Sequence, residues 1–134
     1  MLGISAAESS RHGGAEHRYW VKRIADHLRS SGYEVAEEAP VGGGKTVDLL
    51  ATKGGRRIAF EIETGKSDAF ANVRKCLNAG VDEVIVVALS AALRDALRAR
   101  LGSGRKTHVL AGREVLERFG PASSLTDSYS LQNR

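Results

Sequence analysis

Three acidic residues in the middle of the chain have the types and spacing for metal chemistry. Asp48 lies in one predicted strand, and Glu61 and Glu63 lie in the next. Side chains two residues apart on a strand share a face, so Glu61 and Glu63 point the same way. Placing three carboxylates among apolar neighbours is costly unless a cation or protons compensate. Because all-oxygen ligand sets favour hard divalent ions, the pattern predicts a Mg²⁺ or Mn²⁺ site.

A second interpretation of the same acids needs no metal. Glutamate is seldom fully buried, so a Glu-x-Glu pair in a strand is commonly exposed to water. The metal is favoured by the combination of this pair with Asp48 and with apolar sequence around both strands. A small α/β protein whose acids bind no metal stays open as an alternative.

These acids need a sheet and helices to bring them together, and the hydrophobic periodicity predicts both. Helical spacing predicts helices over 15–31, 67–79, 91–101 and 113–119, with Ser67 as the N-cap of the second. Apolar runs predict strands over 33–38, 46–52, 57–63, 84–89 and 107–110. The order α-β-β-β-α-β-α-β-α predicts an α/β fold, with a mixed sheet of about five strands flanked by helices.

Three details of this prediction bear on the acids. A turn from Pro40 to Gly44 and another at 53–55 predict antiparallel hairpins between the first three strands. The strand over 84–89 is apolar on both faces, as a buried parallel strand should be. The apolar face of the second helix is marked by Phe70, Val73, Cys76 and Leu77.

Length and charge bound the function classes. The 134 residues suit one domain, predicted over 15–119, with a flexible lead over 1–14 and a flexible tail over 120–134. The single cysteine excludes an internal disulfide, which favours a cytoplasmic protein, and no apolar run is long enough to span a membrane. The net charge of +4 suits a polyanionic partner, although residues 34–66 carry six acids against five bases.

The acidic strands also resemble a known family. Val47-Asp48-Leu49-Leu50, followed twelve residues later by Ala59-Phe60-Glu61-Ile62-Glu63 and a helix, is similar to the core of the PD-(D/E)xK nuclease superfamily. The resemblance covers roughly 13–119 and is nearest to archaeal-type Holliday-junction resolvases. It implies a restriction-endonuclease-like fold and a metal-dependent DNA endonuclease, with Asp48 and Glu61 as Mg²⁺ ligands that position a water for attack on a phosphodiester.

This chain departs from the family motif at one position. Glu63 stands where the family has the lysine that polarises the attacking water, so the motif is an E-x-E variant. The resemblance makes Glu63 a further metal ligand and leaves Lys66 or Lys75 to replace the lysine, each with a plain surface role as the alternative. Glu16 matches the place where resolvase-like relatives bring an additional acid to the metal, and the alternative is a glutamate that interacts favourably with the N-terminus of its own helix.

Four further residues are candidates for contacts with DNA: His17, Arg18, Lys45 and Asn72. Contacts are expected mainly with phosphates, which a basic protein binds without reading bases. The glycines before Lys45 lead into a strand, so they are a hairpin turn and no nucleotide-binding loop. A homodimer follows only from the family. The competing function is a nucleic-acid-binding or partner-docking module that kept the fold and lost catalysis with the lysine.

Overall fold

The computed structural model describes residues 14–102 and 104–120. The lead and tail predicted at the two ends lie outside the described residues, apart from one residue of each. The helices in the described ranges are α1 (Ala15–Ser30), α2 (Ala69–Asn78), α3 (Ala91–Leu101) and α4 (Gly112–Arg118). The strands are β1 (Glu34–Gly42), β2 (Lys45–Lys53), β3 (Arg56–Glu63), β4 (Glu83–Ala88) and β5 (Thr107–Ala111).

The five strands form one mixed sheet in the order β1-β2-β3-β4-β5, which confirms the predicted α/β fold and strand number. β1, β2 and β3 pair antiparallel through the two short glycine turns, as predicted. β3, β4 and β5 pair parallel, because α2 and α3 cross over between them. The carboxyl ends of β3 and β4 therefore lie at the same edge of the sheet.

Each face of the sheet is covered by one pair of helices. On the first face, Ile58, Phe60 and Ile62 of β3 pack in a core cluster with α1 and α4. On the second face, Ala59 packs with buried residues of α2 and α3. Alternation along β3 therefore directs Glu61 and Glu63 toward the side covered by α2.

On the first face, helices α1 and α4 pack in close contact. A Cβ added to Gly112, the first residue of α4, would lie 2.6 Å from the Trp20 ring of α1. No side chain fits in that space, so a glycine is required for α1 and α4 to pack as they do. None of the helices between residues 14 and 120 is both long and apolar enough to cross a lipid bilayer.

The inner strand β4 is buried along its whole length and is parallel to both neighbours, as its apolar sequence predicts. Its first residue, Glu83, is nonetheless a buried carboxylate. Two arginines and a histidine surround it: Arg118 at 2.8 Å, Arg56 at 3.1 Å and His108 at 3.1 Å. This ion-pair cluster lies at the end of β4 opposite to the carboxyl edge.

Two predicted boundaries are wrong. Ser67 does not cap α2, because Asp68 takes that place and accepts a hydrogen bond from the Ala71 amide at 3.1 Å. Pro40 lies within β1 and not in the following turn. A proline is tolerated there because β1 is an edge strand, paired on one side only.

Candidate functional site

The two strands that carry the acids diverge where the acids begin. Backbone pairing of β2 with β3 runs from Lys53–Arg56 to Leu49–Phe60 and stops there, although both strands continue. The half-buried Asp48 carboxylate occupies the gap and accepts a hydrogen bond from the Ile62 amide at 2.8 Å. The divergence thus brings a β2 side chain against the backbone of β3.

Glu61 and Glu63 lie at the carboxyl end of β3, beside the end of β4. Their exposed fractions are 5% and 1%, although glutamate is almost never fully buried without a partner. This burial excludes the interpretation in which the Glu-x-Glu pair is simply exposed to water.

Helix α2 supplies the partners of these two carboxylates. The Lys75 Nζ lies 2.9 Å from Glu61 Oε2, and the Asn72 amide donates to Glu63 Oε2 at 3.0 Å. Lys75 also donates to Asn72 Oδ1 at 3.4 Å, since the two residues lie one helical turn apart. An ammonium group therefore reaches the strand acids from the helix.

Two predicted site residues are not brought to this cluster. Lys66 lies exposed in the loop after β3, and Glu16 lies exposed in the first turn of α1. Neither side chain makes a hydrogen bond or ion pair within the ranges 14–102 and 104–120. Of the two lysines proposed to replace the motif lysine, Lys75 is the one in contact with a strand carboxylate.

His17 contacts the site from the other face of the sheet. Its Nε2 lies 3.3 Å from Asp48 Oδ2, and this hydrogen bond raises the pKa of His17. The Nδ1 atom is buried and has no hydrogen-bond partner among the described residues. A cleft of about 410 Å³ opens beside this pair, lined by His17, Arg18, Val21, Lys22, Glu37, Glu38 and Asp48.

Burial shifts the titration of the site. Desolvation and the Asp48 charge raise the pKa of Glu61 to about 7, against the opposing effect of Lys75. Desolvation also raises the pKa of Glu63, against hydrogen bonds from Asn72 and Ser67. Burial and the nearby Glu61 raise the pKa of the Cys76 thiol to about 12, so this cysteine is not a nucleophile at neutral pH.

The donor set fits a hard divalent ion in its chemistry. In the described part of the chain, no three His, Cys, Asp or Glu side chains converge closely enough to hold an ion as they stand. Asp48, Glu61 and Glu63 are engaged instead by the Ile62 amide, Lys75 and Asn72. Burial raises the pKa of Glu61 and Glu63, so the fold disfavours their charged forms, and a bound divalent cation would favour them.

A second, basic cleft adjoins the carboxylates. Its volume is about 250 Å³, and we define it by five residues: Lys45, Phe70, Arg74, Lys75 and Asn78. The sequence prediction contained Lys45 and Lys75 but missed Phe70 and Arg74, because it placed Phe70 on the apolar face of α2. An aromatic and an arginine four residues apart on a helix are the signal that could have revealed them.

Comparisons with known proteins bear on the fold alone. No family model matches the chain, and no curated protein matches it. The SPO1766 protein of unknown function from Silicibacter pomeroyi is 17% identical, with 81% of this chain and 86% of that one covered and a TM-score of 0.48. The protein of unknown function AF1548 is 16% identical, with coverage of 84% and 74% and a TM-score of 0.50. The likeness to AF1548 indicates a shared fold.

Proposed function

We propose that this protein is a Mg²⁺- or Mn²⁺-dependent DNA endonuclease with an E-x-E variant of the PD-(D/E)xK motif. One observation carries the proposal: the Lys75 ammonium lies 2.9 Å from the buried Glu61 carboxylate, beside the point where β2 and β3 diverge around Asp48. The family resemblance supplies the reaction, and this contact supplies the cation that the motif lacks at position 63.

Each site residue has a distinct role in this proposal. Asp48 and Glu61 would hold the metal, with Glu63 as a further ligand. When bound, a divalent ion supplies an acidified water and neutralises charge that develops on the phosphate. The Ile62 amide and His17 orient the Asp48 carboxylate, and Asn72 orients Glu63, so the ligands are held by other groups in the fold.

Lys75 takes the role that the resemblance assigns to the motif lysine. Its ammonium is held in place by Glu61 and Asn72, so it reaches the reacting phosphate at little cost in side-chain entropy. A fixed positive charge next to a scissile phosphate stabilises the extra charge of the transition state. Lys75 therefore serves the reaction by electrostatics and by orienting the attacking water.

DNA is the proposed polyanionic partner. Lys45 and Arg74 line the basic cleft beside Lys75, and Arg18 and Lys22 line the cleft beside His17, which also contains Glu37 and Glu38. Cations on both sides of the carboxylates suit a phosphate backbone that passes across the site. A homodimer would allow both strands of a branched substrate to be cut.

The proposal is tested by cleavage assays on nicked, flapped and four-way DNA with Mg²⁺ or Mn²⁺. Asp48→Asn and Glu61→Gln are expected to abolish cleavage while DNA binding is retained. Glu117→Gln, on the exposed side of α4, is the control that keeps activity. Cleavage that persists in both site variants, or that needs no divalent ion, would contradict the proposal.

A specific observation also favours a second candidate, a DNA-binding module without turnover. Both buried glutamates already have protein partners, Lys75 and Asn72, so the site is partly neutralised by the chain itself. This candidate predicts intact substrates in Mg²⁺ and Mn²⁺ and retained DNA binding. Calorimetry that detects no Mn²⁺ binding by the wild type would instead support acids that bind no metal.

A further inference from the structure

We propose that the basic cleft binds an unpaired nucleotide of the substrate, with the base stacked on Phe70 and the phosphate held by Lys45 and Arg74. This inference rests on the proposed function and names its substrate class: DNA that has an unpaired stretch next to the scissile phosphate. It gives the α2 surface a part in choosing the substrate.

The first argument is the exposure of Phe70. Its side chain lies in the first turn of α2 and is 53% exposed, whereas most other large apolar side chains of the described core are buried. An exposed aromatic ring beside cations is the arrangement with which proteins hold single strands, because every base has a face that can stack. Burial of the ring under a base would also remove apolar surface from water.

The second argument is the charge around the ring. The Arg74 guanidinium carbon lies 5.1 Å from the centre of the Phe70 ring, which positions both groups. Lys45 approaches from the other wall of the cleft, at the start of β2. Asp68 is an acid in this lining, but its carboxylate is engaged as the cap of α2. The cleft therefore presents cations to a phosphate.

The third argument is the link between the cleft and the carboxylates. Lys75 lines the cleft, and its ammonium lies 2.9 Å from Glu61. A nucleotide stacked on Phe70 would therefore have a neighbouring phosphate on the side of Lys75, the residue that the cleft shares with the carboxylate site. The volume of about 250 Å³ leaves room for no more than one nucleotide.

The test measures binding without added divalent ions, so that no turnover occurs. The full chain is titrated against single-stranded, flapped and duplex DNA with the fluorescence of a 2-aminopurine placed at the unpaired position and with anisotropy. Phe70→Leu is expected to weaken single-strand and flap binding by about 5- to 150-fold, the equivalent of losing one stacked base. The same Phe70→Leu variant should change the dissociation constant for duplex DNA by less than about twofold.

Two further variants keep the test sharp. Phe70→Tyr preserves a stacking ring and should restore both affinity and the quenching of 2-aminopurine. Leu77→Ala truncates another exposed apolar side chain of α2 that lies outside the basic cleft, and should leave binding unchanged. Folding of each variant is checked by circular dichroism.

The outcomes separate this inference from the proposed function. Equal loss of single-strand and duplex affinity in Phe70→Leu, or no loss in either, overturns the stacking role while leaving metal-dependent cleavage by the wild type intact. A protein without cleavage activity that still loses single-strand affinity in Phe70→Leu overturns the endonuclease and retains the nucleotide cleft. If Leu77→Ala weakens binding as much as Phe70→Leu, the loss does not come from stacking on the Phe70 ring, and the inference is wrong.

Discussion

Glu61 links the chemistry of the site to the stability of the fold. Its pKa rises from an ordinary 4.5 to about 7, because burial and Asp48 disfavour the charged form more than Lys75 favours it. The folded state therefore keeps a proton that the unfolded state loses at a lower pH. The stability from this group is fully present below about pH 4.5 and is lost as the pH rises through about 7.

Glu61→Gln should flatten this pH dependence. The wild type should lose on the order of 2–3 kcal/mol in its free energy of unfolding between pH 4.5 and 8. The glutamine amide has nearly the same shape but cannot ionise, so the variant should not show this loss. Urea unfolding of both proteins at several pH values measures this pH dependence. Glu34→Gln, an exposed acid of β1, should follow the wild-type curve. Parallel curves for wild type and Glu61→Gln would show that the carboxyl is not desolvated as described.

The two lysines give a second prediction at the residue scale. Lys75→Met should lower the cleavage rate by about 10²–10³-fold, the usual cost of removing one preorganised charge from a transition state. Lys66→Met should change it by less than about threefold, because the exposed Lys66 makes no ion pair within the described ranges. Single-turnover kinetics at saturating DNA separate this effect from binding. The reverse ranking would show that the loop lysine takes the motif role.

At the scale of elements, the sequence predicted the bounds of every described strand and helix to within a few residues. Periodicity does this well because it is local. It could not say which apolar residues of α2 face inward: Val73 and Cys76 are buried, whereas Phe70 and Leu77 are 53% and 38% exposed. The reason is that only a narrow stripe of α2 contacts the sheet. Apolar residues at helical spacing lie both inside and outside this stripe, so spacing alone does not identify the buried ones.

The arrangement of the site was only partly predictable for the same reason. That Glu61 and Glu63 share a face follows from strand geometry alone, and it is confirmed. The divergence of β2 from β3 is a tertiary feature, so the bond from the Ile62 amide to Asp48 has no local signal. Lys66 is nearer to Glu63 in sequence, but the course of α2 brings Lys75 back over the strand end.

At the scale of the whole molecule, the two buried acidic centres lie at opposite ends of the central strands. Glu83 begins β4, and Ala88, the partner of Glu63, ends it, a distance of roughly 16 Å at the usual rise of a strand. At one end, two buried glutamates face a single lysine, and at the other a single buried carboxylate faces two arginines and a histidine. The first arrangement suits a site that binds ions, and the second suits anchoring of β4.

Glu83→Gln should therefore lower stability without affecting the candidate site. Loss of the buried charge leaves its partners unpaired, and because these are partly exposed the expected cost is about 1–3 kcal/mol in the free energy of unfolding. Chemical denaturation measures this cost, and Mn²⁺ affinity by calorimetry should stay the same because distant sites act additively. Glu117→Gln is the matched control for stability. A change in Mn²⁺ affinity would show that the two ends are coupled.

The outer strands of the sheet have a consequence for self-association. β1 contains Pro40, its Glu38 has a positive φ, and its register with β2 shifts between Pro40 and Gly42. These irregularities make its free edge poorly shaped to accept another strand. At the opposite edge, Arg98 Nε donates a hydrogen bond to the Val109 carbonyl of β5 at 2.9 Å. Both margins of the described sheet thus carry features that disfavour pairing with a strand of another molecule.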